Sequence, residues 1–206
     1  MLSKLLALLF PLTEKELAIE HVRSLSPQLS RKALTNGNSI VTCCRYDDPC
    51  VRAAISLLKL HGNPHATQLL ATLLGDVLLE ELADMQIWNN AHVYIVPIPI
   101  SKRRRRERGF NQMERVCALL PKELRTLVRT DILTQTKYIP MQKTLSRAQR
   151  LVNVRGMFAL LHSSSLANVH IIVVDDVTTT GATLTEATRM LSSTGATVTA
   201  VALARA

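Results

Sequence analysis

Apolar residues recur along this chain at helical spacing in some stretches and run unbroken in others. Leu5, Leu8, Leu9 and Leu12 share one helical face, and Glu16 to Leu25 continues in helical register until Pro27, so the first forty residues read as helix, turn and helix. Thr35 to Ser39 is a turn or loop, and Ile40 to Tyr46 has the character of a short strand. Asp48 then stands as an N-cap with Pro49 at the first helical position, giving a helix over Cys50 to Leu60 that ends at Gly62. A second helix runs from about His65 to Ala83. Val93 to Pro97 is an apolar strand, a helix lies near Asn111–Leu120, and Leu127 to Leu133 has strand character. Residues 134–144 read as loop and 145–152 as a short helix. His170 to Val174 is apolar without alternation, as in a strand covered on both faces of a parallel sheet. Thr183 to Ser193 is helical through Leu184, Ala187 and Leu191, Gly195 ends it, and Thr197 to Leu203 closes as a strand. Strand, helix and strand of this size form a right-handed βαβ unit, so the class is α/β with a helical N-terminal part. A boundary near residue 45 separates a helical segment, 1–45, from the main domain, 46–206.

Composition fits a packed domain. The chain has 206 residues, 47% hydrophobic and 20% charged, which excludes wholesale disorder. The cysteines, at 43, 44, 50 and 117, include no C-x-x-C pair, so neither a disulfide framework nor zinc-ribbon spacing is present and no structural zinc is expected. The apolar stretch 5–12 follows Lys4 in the manner of an export signal. It lacks a small-residue cleavage site and runs at once into Thr13-Glu14-Lys15-Glu16, so it reads as an apolar helix face followed by a capped helix. The expectation is a cytoplasmic protein with no membrane span.

Charge sharpens the picture. The formal net charge is +9. Residues 102–108 hold six basic side chains and one acid, and residues 141–155 add Lys143, Arg147, Arg150 and Arg155 with no acid, which together account for the whole surplus. Charge focused in two clusters suits a strongly anionic ligand, whereas an arginine run by itself is also what a solvated or nucleic-acid-binding face looks like.

The densest chemistry lies in Ile171-Ile172-Val173-Val174-Asp175-Asp176-Val177-Thr178-Thr179-Thr180-Gly181-Ala182-Thr183. Two adjacent carboxylates end a buried strand, and a turn of hydroxyls and small residues opens a helix. Open α/β sheets bind ligands at such strand ends. Gly181 permits close backbone approach, and the turn's amides and the helix dipole favour a phosphate dianion. Asp175 and Asp176 would repel phosphate, and suit either the hydroxyls of a ribose or a magnesium shell. A plain capped helix would need one such cap residue; two acids and four threonines exceed that. The segment therefore describes a ribose-5-phosphate site.

This stretch resembles the phosphoribosyl pyrophosphate (PRPP) signature of type I phosphoribosyltransferases. Val96-Pro97-Ile98-Pro99, the basic run and Arg108-Gly109-Phe110-Asn111-Gln112 resemble the ComF family, phosphoribosyltransferase-like proteins linked to natural DNA uptake. Thr136 to Ser146, with Arg147, Arg150, Asn153, Val154, Arg155, Gly156 and Phe158, resembles that family's flexible loop and the strand after it. These matches cover about residues 93–205, with weaker similarity at Tyr46 to Pro49 and Leu57 to Gly62. Many members begin with a four-cysteine zinc module, and this chain has no such ligand set.

The resemblance implies a type I phosphoribosyltransferase-like parallel sheet flanked by helices, with 1–45 as a candidate hood. It implies 5-phosphate binding by Thr178, Thr179, Thr180, Gly181, Ala182 and Thr183, and pyrophosphate binding by Ser101, Lys102 and Arg103. Asp175 and Asp176 would act on the ribose and reach magnesium only indirectly, through ribose or water. Within a candidate lid over 134–150, Arg147 or Arg150 would reach the departing pyrophosphate, and Arg147 joins the two acids as a catalytic candidate. Phe110 is expected to pack, and Asn111 and Gln112 to orient the loop or begin the next helix. The implied activity is magnesium-dependent transfer of a phosphoribosyl group from PRPP to a nitrogen acceptor. The alternative is a non-enzymatic protein that handles single-stranded DNA through 102–108, and a homodimer is a further candidate assembly.

Overall fold

The structure is a computed structural model that describes residues 12–33, 39–84, 92–137, 149, 153–162 and 165–206. Its organising element is a ten-residue strand, Val169–Thr178, whose first six residues are all buried. Here called β6, it lies between two parallel neighbours, β3 (His92–Pro97) and β7 (Thr197–Arg205). β7 pairs in parallel with β2 (Ser39–Arg45), and β1 (Ser30–Ala33) adds an antiparallel edge. The sheet order is β1-β2-β7-β6-β3. Beyond β3, the chain passes through the short helix α6 (Lys122–Arg125), and Val128 then makes a single parallel bridge to Ile95.

The unbroken apolar run of β6 is explained by what covers it. Ile172 and Val174 face a core built with helices α2 (Pro49–His61), α3 (Pro64–Asp84) and α5 (Gln112–Ala118). Ile171 and Val173 face the opposite core, closed by α7 (Ala182–Ser192) and the hairpin of β4 (Leu133–Gln135) and β5 (Phe158–Leu160). Ala200 and Ala202 of β7 lie in that second core beside Leu184, Ala187 and Leu191 of α7; small residues on a sheet face let a helix approach closely. The crossover from β2 to β3 and that from β6 to β7 travel in opposite directions across the sheet, so the right-handed rule places their helices on opposite faces.

Local signals act where expected. Asp48 caps α2, its Oδ1 accepting from the amides of Cys50 (2.8 Å) and Val51 (3.1 Å), and Gly62 ends the helix in the left-handed region at φ 60°. Thr13 and Glu16 form a reciprocal capping box at the start of α1 (Glu14–Ile19).

Several sequence expectations are corrected. The helix expected to reach Leu25 stops at Ile19, and Ser30–Ala33 is a strand. That strand shows alternating exposure, and Arg31 on its exposed side reaches across to the buried Glu81 of α3 at 2.6 and 3.0 Å. Leu127–Leu133 is not one strand: the chain bridges β3 at Val128, turns at Arg129–Asp131, where the two side chains pair, and enters β4 at Leu133. Thr134 and Gln135, expected in a loop, belong to β4. The arginine run, for which the apolar pattern predicts no element, is the helix α4 (Lys102–Arg108). The sheet also crosses residue 45, since β1 and β2 pair into it. The leucine-rich stretch 5–11, the turn at 35–38 and most of the short helix at 145–152 lie outside the described residues. Among the described residues, no helix is long and apolar enough to cross a membrane.

Candidate functional site

The connection leaving β3 turns to the face of α5, whereas the one leaving β6 turns to the face of α7. Adjacent strands whose connections part in this way open a crevice at their carboxyl ends. β6 also outruns its neighbour. Pro97 is the last residue of β3 and pairs with Val174, so residues 175–178 extend past it.

The twin carboxylates sit on this overhang in unlike surroundings. Asp176 is buried and fully engaged. Its Oδ1 accepts from the Val177 amide at 2.6 Å, and its Oδ2 receives both Lys59 Nζ of α2 at 3.0 Å and Gln112 Nε2 of α5 at 2.9 Å. Asp175 is half-buried. Its Oδ1 accepts from the Asp176 amide at 2.8 Å, and its other oxygen has no hydrogen bond among the described residues. Burial, followed by the neighbouring negative charge of Asp176, pushes the Asp175 carboxyl up to about 7, while Lys59 and Arg104 pull in the opposite direction. One acid is thus a fixed counter-ion and the other is available.

The threonine turn follows directly. Thr178 is buried and its carbonyl accepts from the Ala206 amide at 3.0 Å; Thr179 is exposed and Thr180 half-buried. Gly181 adopts φ 85°, a left-handed conformation that a β-carbon disfavours. As N-cap of α7 it has no side chain to offer, so the first turn of that eleven-residue helix has no side-chain cap and no acidic residue. The closest substitute is a long contact from the Ala182 amide to Thr180 Oγ1 at 3.4 Å. Ala182 is buried and Thr183 half-buried in the first turn. Uncapped amides at a positive dipole end present an anion-binding arrangement.

Across the crevice, Ser101 is buried and caps α4, its Oγ accepting from the Arg104 amide at 3.2 Å. Lys102 and Arg103 point outward in the first helical turn, and Arg103 pairs with Glu107 at 2.8 Å. Arg105 is matched by Glu114 of α5, and Arg108 donates to Gln112 at 3.2 Å. Asn111 fixes the approach: its Nδ2 donates to the Ile98 carbonyl at 2.9 Å while its Oδ1 caps α5 at Met113 N, 2.9 Å away. Phe110 lies under the Arg115 guanidinium, 3.7 Å from ring centroid to carbon. Asn111 thus both orients the loop and begins the helix, and Gln112 holds an acid.

Sequence reasoning missed Lys59 and Arg104 as neighbours of the acids. Lys59 carried no local signal beyond being a cation inside the apolar run Leu57–Leu60, because its partner is 117 positions away. Arg147 lies outside the described residues, as does most of the candidate lid. The stem of that segment is pinned to α7: the Gly156 amide donates to Glu186 Oε1 at 2.7 Å, and Arg189 grips the same carboxylate at 2.8 and 2.9 Å. Among the described residues no group of three His, Cys, Asp or Glu side chains is placed to hold a metal. Cys43, Cys44 and Cys117 are buried free thiols; burial raises all three, Cys117 to about 12.

Residues 109–206 match the family described as Phosphoribosyl transferase domain. This stretch, just under half of the chain, is similar to a phosphoribosyl transferase domain, the class to which the parallel sheet and the acid-and-threonine strand end also point. Within the class, the chain is 34% identical over 102 residues to the DNA utilization protein YhgH of Escherichia coli K12, covering 50% of this chain and 44% of that one. It is 33% identical over 111 residues to the Competence protein ComFC of Bacillus subtilis (53% and 42%), and 32% over 102 residues to Competence protein F of Haemophilus influenzae (49% and 44%). These relatives bear out the ComF-family resemblance read from the motifs. The match spans under half the length of each. The orotate phosphoribosyltransferase of Aeropyrum pernix superposes with 15% identity and a TM-score of 0.31, covering 100% of this chain and 81% of that one, a score too low to bear on the fold.

Proposed function

We propose that the protein binds PRPP and transfers its phosphoribosyl group to a nitrogen acceptor. The observation that carries this reading is the end of β6, where an available carboxylate and an uncapped, hydroxyl-rich helix start adjoin one crevice. The 5-phosphate would rest on the amides of Gly181, Ala182 and Thr183 with hydroxyls from Thr178, Thr179 and Thr180. Asp175 would accept from the ribose hydroxyls, and Asp176, held by Lys59 and Gln112, would keep that strand end in place. In the transfer, the C1–oxygen bond breaks with its electron pair leaving on pyrophosphate, a C1–nitrogen bond forms, and the acceptor's proton passes to solvent or base. Charge on the leaving group would meet the start of α4, with Lys102 and Arg103 outward and Arg104 turned toward the acids. Such chemistry rests on fixed geometry and electrostatic stabilisation more than on covalent participation.

Magnesium would arrive as part of the substrate. Asp175 alone offers an unengaged carboxylate oxygen at this strand end, which fits contact through water or ribose hydroxyls and no protein-only cation site. Titration calorimetry with PRPP and magnesium tests the reading: heat that ribose 5-phosphate competes away supports it, and its absence rejects it. Pyrophosphate release with a panel of amines and bases then separates turnover from binding alone.

A second reading, handling of single-stranded DNA, is favoured by the relatives named for DNA utilization and competence. In this chain it rests on α4, where Lys102 and Arg106 are exposed and carry no ion pair among the described residues.

A further inference from the structure

A second ligand-sized space opens at the same edge of the sheet, on the far side of β7 from the acids. Because β1 runs antiparallel, its start lies beside the ends of β2 and β7, and the three enclose a cleft of about 860 Å³. Tyr46, Arg45, Asp47, Arg52 and Arg205 line it. Ser30, Thr42 and Arg205 line both this cleft and a gap of about 10 Å³ beside Thr178, Thr179 and Gly181, room for one water. The cleft therefore adjoins the flank of the threonine turn across these three residues.

Its charges are unbalanced in a particular way. Arg45 and Arg205 stand in direct register on parallel strands, two cations side by side at the sheet end; like charges so placed repel. Arg45 is relieved by a bidentate pairing with Asp47 at 3.0 and 2.5 Å. Arg205 has no side-chain hydrogen bond or ion pair among the described residues, and Arg52 feels Asp47 only at a distance. Two guanidinium groups with unspent donors thus share one cavity with the half-buried ring of Tyr46.

We propose that this cleft binds a planar compound bearing an oxyanion, carboxylate or phosphate, with the oxyanion between Arg52 and Arg205 and the planar body along Tyr46. Guanidinium groups match both oxyanions through paired N–H donors, and an anion there relieves the repulsion between Arg45 and Arg205. The assignment of this compound as the acceptor rests on the phosphoribosyl-transfer reading, and narrows the acceptor to acidic planar nitrogen compounds. The binding itself does not depend on that reading.

The test uses the whole chain and three probes of one shape: phenyl phosphate, benzoate and the neutral benzamide, titrated with and without saturating ribose 5-phosphate. At least one anionic probe should bind roughly tenfold or more tighter than benzamide, with the stronger of the two identifying the oxyanion. Arg52→Gln and Arg205→Gln should each weaken that probe about tenfold while leaving ribose 5-phosphate affinity unchanged. Thr180→Ala should do the reverse. Equal binding of all three probes, indifference to both arginine variants, or displacement of the anionic probe by ribose 5-phosphate overturns the proposal. Anionic-probe binding in a protein that ignores ribose 5-phosphate sinks the transfer reading and leaves the oxyanion cleft standing.

Discussion

The turn after β6 and the arginine run after β3 are the two most conspicuous polar stretches of the chain, and the fold treats them oppositely. The turn stays out of regular structure, leaves the first amides of α7 without a side-chain cap, and concentrates its donors at one point. The arginine run coils into α4, which distributes successive guanidinium groups by about 100° per residue around a cylinder. Arg103 and Arg105 then meet Glu107 and Glu114, and Arg108 meets Gln112. Six basic residues among seven become a few outward charges. A charge run in sequence is a site only where the backbone keeps it converged.

The sharpest way to test the turn is to disturb what holds it. Lys59→Met leaves Asp176 buried with Gln112 as its side-chain donor, and removing one partner of a buried pair strands the other charge. Because Lys59 is about a third exposed, solvent softens the loss to about 2 kcal/mol, measured by chemical denaturation near neutral pH. The double variant Lys59→Met/Asp176→Asn should recover most of it. A Lys59→Met protein as stable as the parent would show that the counter-ion role is wrong.

Gly181→Val comes next. A β-branched residue at φ 85° should cost on the order of 1–2 kcal/mol and weaken ribose 5-phosphate binding more than tenfold. An equal change at Gly109, the corresponding left-handed position after α4, meets nothing within 4 Å and should leave ribose 5-phosphate binding intact. If both variants bind alike, the turn is no more a binding device than the end of α4.

Asp175→Asn should stabilise the protein. The folded pKa is raised to about 7, so the folded state resists ionisation that the unfolded chain accepts. The native acid's relative stability is full below the unfolded value, near 4, and is lost as pH rises through about 7. Above that pH the asparagine variant should gain about 1 kcal/mol, a figure reduced for partial exposure, and the advantage should fade as pH falls. PRPP affinity should drop in the same variant. Stability gained as binding is lost is the behaviour of a group placed for a ligand.

How far the sequence carried the fold depends on how local each cause is. Asp48, Pro49 and Gly62 bound α2 with contacts two to five residues apart, and β6 announces itself because both of its faces are covered. β1 was missed because Ser30-Arg31-Lys32-Ala33 has no apolar rhythm; its strand pairing with β2 and the tie from Arg31 to Glu81, 50 residues on, are non-local. The helical state of the arginine run did have a local signal, Ser101 at the N-cap, Gly109 after the end and the Arg103–Glu107 spacing, which the charge itself obscured. Asp175 and Asp176 were recognised as a pair, yet their division into available and engaged depends on Lys59 and Gln112, which only the fold brings near.

The smallest expected effect concerns α4 and its salt dependence. For a single strand, log affinity falls with log salt at about −0.7 per phosphate neutralised. If only Lys102 and Arg106, which carry no ion pair among the described residues, meet phosphates, the slope for a short single-stranded oligonucleotide should be about −1.4; if all six basic residues do, it should be about −4. Fluorescence anisotropy between about 50 and 200 mM salt separates these values. Lys102→Ala with Arg106→Ala should flatten the slope, whereas Arg103→Ala with Arg105→Ala should barely move it, since Glu107 and Glu114 already hold those groups. A slope near −4 would mean that the acids let go when DNA arrives. The run would then be as converged in function as the threonine turn, and the contrast between the two stretches would be a property of the unliganded fold alone.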